Sequence, residues 1–111
     1  MGKMRFGVAH RILYEAQTAE QNLKSVIRQL EKRSPLVGDG VALQDYLANA
    51  YKLNSDVIAE MTVHIEKLHE VLNEAGWWHR QTAKSLLIGI SEEIRKFQEI
   101  MMREMVMRGQ S

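Results

Sequence analysis

NEAGWWHRQT, residues 73–82, holds both tryptophans of the 111-residue chain, side by side behind a glycine. The reading of this stretch decides the fold. Leu72 and Ala83 lie eleven positions apart, and eleven steps of about 100° end roughly 20° past three full turns, so the apolar stripes on either side are in phase. One continuous helix of about 65 residues is therefore the alternative to a turn. Such a helix would show Gly76, His79 and Arg80 on its seam, which disfavours it. We expect a turn, with Gly76 closing the second helix in the left-handed conformation that glycine adopts without strain.

The turn leaves two placements for the indoles. Both rings fold over the hairpin end as a plug, or Trp78 makes a subunit or partner contact. Trp77 projects along Gln81, Lys84 and Ile88, beside the seam. Trp78 projects along Thr82, Ser85 and Gly89, a row of small side chains against which another helix could dock. Tryptophan is over-represented among interface hot spots.

Outward from the turn the spacing is helical, never alternating. The single proline, Pro35, with Gly38, Asp39 and Gly40, marks a loop at 33–41. Before it, Ala9, Ile12, Ala16, Ala19, Leu23, Val26 and Leu30 recur at alternating intervals of three and four. That is a coiled-coil-like seam, widened by Phe6, Leu13 and Ile27, and it predicts a helix over 4–32. After the loop, Leu47, Tyr51, Ile58, Met61, Ile65, Leu68 and Leu72 predict a helix over 42–74, flanked by Ala50, Val57 and Val71. Asn54 interrupts this stripe, as a register-fixing polar residue or as an amide at its edge. The third stripe, Ala83, Leu87, Ile90, Ile94, Phe97, Met101 and Met105, predicts a helix over 78–108, widened by Leu86, Ile88 and Ile100. A break near Gly89 is the alternative there.

These segments predict an all-α fold: one domain over 1–111, with three long helices in an up-down-up elongated bundle. Seams this wide exceed what one thin bundle covers, so self-association into a homo-oligomer is expected.

There are no cysteines, which excludes disulfides, thiolate metal sites and thiol catalysis. No apolar run approaches the roughly 20 residues of a membrane span, and residues 1–11 lack the pattern of a secretory signal, so a cytoplasmic protein without membrane contact is expected. The net charge of +1 hides a pattern: +4 over residues 1–33, −5 over 34–75 and +2 over 76–111. A middle segment packed between two oppositely charged ones accounts for it.

Catalytic and metal signals are sparse. Glu66-x-x-His69 has helical ligand spacing, but a bundle di-metal site needs two such units and further inward glutamates, so no metal or other cofactor is expected. Arg5-x-x-x-x-His10 resembles, in spacing only, the motif of helical ribonucleases of the HEPN kind, which carry it on a late helix. No phosphate loop and no paired nucleophile and base occur, so no catalytic residue is assigned.

The expectation is a small non-enzymatic helical interaction protein, an adaptor, chaperone or inhibitor acting by protein–protein contact. Its partner-binding candidates are Trp77 and Trp78 with Met102, Met105 and Met107, since clustered methionines suit adaptable surfaces. The alternative is a binder of nucleic acid or an anionic small ligand through basic faces of the first and third helices, with Arg5, Arg11, Arg80, Lys84 and Arg95 as candidates. Lys3, Lys24, Arg28 and Lys96 join that set.

Overall fold

The three-and-four spacing becomes three α-helices in a computed structural model of the chain, which describes residues 4–32 and 40–109, with side chains over 4–32 and 50–103. They are α1 (Phe6–Lys32), α2 (Gly40–Glu74) and α3 (Trp77–Gly109). No strand occurs among the described residues. The fold is an all-α helical bundle. At about 1.5 Å per residue the two longer helices run about 50 Å, which accounts for the 58 Å long axis; the 19 × 18 Å cross-section is two helix diameters.

The turn between α2 and α3 is two residues, Ala75 and Gly76. Ala75 N–H donates to the Val71 carbonyl (2.9 Å), the last bond of the α2 ladder. Arg80 N–H donates to the Gly76 carbonyl (3.1 Å), which makes Gly76 the N-cap of α3. This corrects the expected left-handed C′ glycine: no described glycine has a positive φ. The chain reverses through N-cap geometry, which lies in the ordinary extended region, and a Cβ on Gly76 would meet nothing within 4 Å. At the other junction, residues 33–39 of the expected loop lie outside the described residues, while Gly40 and Val41 already belong to α2.

The α1 seam is buried at Ala9, Ile12, Leu13, Ala16, Ala19, Leu23 and Ile27, with Val26 and Leu30 partly buried. Phe6, expected to widen it, is exposed instead. In α2 the core line runs one position from the expected stripe. Ala50, Val57, Met61, Leu68, Val71 and Ala75 are buried, whereas Ile65 and Leu72 are partly buried and Tyr51 is exposed. Asn54 and His64 complete this line at alternating intervals of four and three and are half-buried. Helix α3 buries Ala83, Leu86, Ile90, Phe97 and Met101 and continues through Gly89 without a break. Ile88 lies on the side away from the core and is exposed.

Among the described residues three polar side chains are also buried: Glu20, His79 and Glu93. Met4 N–H donates to the Glu74 carbonyl (3.1 Å), bringing the start of α1 to the end of α2. Between α1 and α3, Phe6 meets His79, Glu20 meets Gly89, and residues 24–31 share a groove with residues 93–103. The pairs rise together along both helices.

Candidate partner-binding surface

At the start of α3, Trp77 and Trp78 occupy the first turn, before the helix's own side chains can cover them. They are 62% and 72% exposed. Neither ring folds over the hairpin end, so the plug placement is not what the structure adopts. In the row behind Trp78, Thr82 and Ser85 are exposed, while Gly89 meets a helix of this chain. The Glu20 carboxylate of α1 sits where a Cβ of Gly89 would go.

Trp78 is one wall of a groove of about 350 Å³ between α1 and α3. The opposite wall is a column of rings on α1, Phe6, His10 and Tyr14, spaced four apart and therefore stacked along one side of the helix. Phe6 stacks on His10 with centroids 6.0 Å apart and planes 6° from parallel. On its other side, Phe6 meets the buried His79 ring edge-to-face at 4.7 Å and 76°. Both arrangements suit ring quadrupoles. His79 is thus held by an aromatic neighbour at the base of a groove whose rim stays open.

Phe6 is 71% and Tyr14 59% exposed. With roughly 200 Å² per aromatic side chain, these two and Trp78 leave on the order of 400 Å² of ring surface in water. Monomeric proteins seldom expose contiguous apolar patches much above a few hundred Å² without a use for them. No Lys, Arg, Asp or Glu side chain lines this groove; its polar groups are Gln17, Thr82, the Tyr14 hydroxyl and the two imidazoles.

The anion-binding candidates are not gathered in one place. Arg5 precedes α1 and caps it, its carbonyl accepting from Ala9 N–H (3.0 Å). Arg11 pairs with Glu15 (3.9 Å) and Arg95 with Glu99 (2.8 Å), each along its own helix. Arg80 and Lys84 are exposed on α3. The structure instead collects Lys24 and Arg28 of α1 with Lys96 and Arg103 of α3 around a second groove, of about 510 Å³. Its floor includes Ile27 and Ile100, and Glu31, Glu93 and Glu99 share its walls. Glu93 pairs with Lys96 (3.6 Å) and Glu99 with Arg95.

Met102 is exposed on α3, well away from the tryptophans along the helix axis. The side chains of Met105 and Met107 lie outside the described residues. Trp77 opens the helix, and Met102 sits about 37 Å along it. His10 stacks on Phe6 rather than sharing a helical face with Arg5, which stands outside the helix. Among the described residues no group of three or more His, Asp or Glu could hold a metal ion. Likewise, no described helix is long and apolar enough to cross a membrane.

Phe6, His10, Tyr14 and His79 are not among the partner-binding positions expected from the sequence. The four-residue spacing of the α1 rings was the available signal, and it sits beside the seam rather than on it. Compared with protein families, with characterised proteins and with solved structures, the chain matches none.

Proposed function

We propose that this chain is a non-enzymatic helical interaction protein that acts by covering part of a partner protein's surface, with Phe6, Tyr14 and Trp78 as the contact. The carrying observation is the exposed ring surface at the α1/α3 groove, which the chain's own helices leave open. Aromatic anchors beside a groove are the usual source of binding energy in such contacts. The bundle is read as up-down-up, supported by the joint rise of residue numbers where α1 meets α3 and by the Met4–Glu74 bond. Association of like chains through the same surface belongs to this reading.

Affinity capture with the immobilised full chain tests it. Trp78→Ala and Tyr14→Ala should lose a partner that the wild type retains, while Val63→Ala, which removes an exposed apolar residue of α2, should keep it. Equal capture by all four proteins would refute the assignment.

A second reading, binding of nucleic acid or a small anion, has the cation-rich groove in its favour. Phosphate-driven binding must weaken steeply with added salt. Against it, three carboxylates share that groove.

A further inference from the structure

The exposed face where α1 and α3 lie side by side divides lengthwise by charge. On α1 its exposed residues begin with Phe6, His10, Tyr14, Gln17 and Gln21, at the three-and-four spacing that keeps them on one side of the helix. Alongside them on α3 stand Trp78, Thr82 and Ser85, also exposed. The contacts of Phe6 with His79 and of Glu20 with Gly89 put the two stretches at one level along the bundle. None of these residues is Lys, Arg, Asp or Glu, over about 22 Å of α1. Farther along, the face changes: Lys24 and Arg28 follow on α1, and Glu92 and Lys96 on α3. On the exposed side of α2, by contrast, Lys52, Asp56 and Glu60 recur every four residues.

Such a block suits one kind of occupant. A two-fold axis sets each residue near it against its own copy, so a charge there would meet its like. A self-facing surface therefore needs a block free of Lys, Arg, Asp and Glu, whereas different proteins hold one another in register by complementary charges. The area agrees. The three rings expose on the order of 400 Å², and five further side chains at the usual interface share of about 30–40 Å² each bring the block to roughly 600 Å² per chain. Doubled, that is about 1,200 Å², the lower edge of specific interfaces, and it sets a weak, concentration-dependent pair.

The charged half decides the direction. A parallel pair would press both charged halves together and take Lys24, Arg28 and their copies out of water, which is costly. An antiparallel pair overlapping only through the neutral blocks leaves them solvated. It also sets the ring-bearing end of one block, Phe6 and Trp78, over the lower end of the other, Gln21 and Ser85.

We infer that a second copy of this chain docks antiparallel on the neutral half of the α1/α3 face, covering Phe6, Tyr14 and Trp78 and leaving both charged grooves in water. This rests on the reading of the rings as a contact and names what covers them. A different partner protein would have to displace the second copy.

Sedimentation of the full chain, from low micromolar to about 1 mM, tests it. The wild type should pass from monomer to dimer. Trp78→Ala and Tyr14→Ala should each raise the dissociation constant at least about tenfold with helicity unchanged, while Val63→Ala leaves it as it was. The chain has no cysteine, so one introduced thiol reports alone. A short bismaleimide should join Ser85→Cys chains, whose thiols lie near the middle of the block, and not Arg103→Cys chains, whose thiols lie at opposite ends of the pair. Linkage of Arg103→Cys but not Ser85→Cys overturns the inference. So does a chain that stays monomeric at about 1 mM, or a dimer indifferent to both ring substitutions. In those cases the aromatic contact stands if Trp78→Ala still loses a captured partner; with no captured partner either, both fall.

Discussion

Replacing Gly89 by alanine tests how α1 and α3 are fitted together. A glycine inside a helix costs about 1 kcal/mol relative to alanine, so the substitution begins with a gain of that size. Opposing it, the new methyl would overlap Glu20 Oε2 and lie 3.3 Å from Glu20 Cδ. The overlapping atom is the tip of a long side chain whose last torsion is broad. No hydrogen bond or ion pair among the described residues holds that carboxylate, although Glu20 is only 9% exposed. Turning it aside therefore breaks nothing, and we take its cost as a few tenths of a kcal/mol, smaller than the propensity gain.

Gly89→Ala should accordingly stabilise the protein by about 0.5 kcal/mol or slightly more, raising the melting temperature by about 2–4 °C. Urea and thermal melts followed by far-ultraviolet ellipticity measure both. In a Glu20→Ala background the same substitution should give the full gain of about 1 kcal/mol, and the difference between backgrounds is the cost of moving the carboxylate. A loss of more than about 1 kcal/mol that persists without Glu20 would mean that backbone, not a movable side chain, fills the space. That would refute the reasoning.

Gly76→Ser should leave stability unchanged or raise it by a few tenths of a kcal/mol, because serine is a slightly better N-cap than glycine; a left-handed residue would instead lose about 1 kcal/mol. Phe97→Ala empties a fully buried site and should cost about 3–5 kcal/mol in denaturant melts, whereas Trp78→Ala should change stability by less than about 0.5 kcal/mol. Glu99→Gln breaks an exposed pair with Arg95 and should cost less than about 0.5 kcal/mol in the same melts.

Helix number and class were legible because the spacing that marks a buried stripe is the spacing that forms one. The α2 core line was legible only to within one position. Val57 and Ile58, Val71 and Leu72, and Ala50 and Tyr51 are adjacent pairs in which either member could face inward by periodicity alone. Close approach of three helices selected the first member each time, as the buried Ala50 and Ala75 illustrate. Trp78 stood out as a contact because a large ring ahead of small residues has an evident shape. Phe6, His10 and Tyr14 did not, since their role depends on which face of α1 lies beside α3. The charged groove needs the same alignment between residues some seventy positions apart, which no local pattern encodes.

The position of the indoles has a spectroscopic consequence. Both stand at one tip of a rod three times longer than it is wide, already in water. Their emission should resemble that of the denatured chain before any helix melts, so intrinsic fluorescence would change little on unfolding. In a molecule that unfolds as a single unit, helicity and emission would share one midpoint, the change in emission being small.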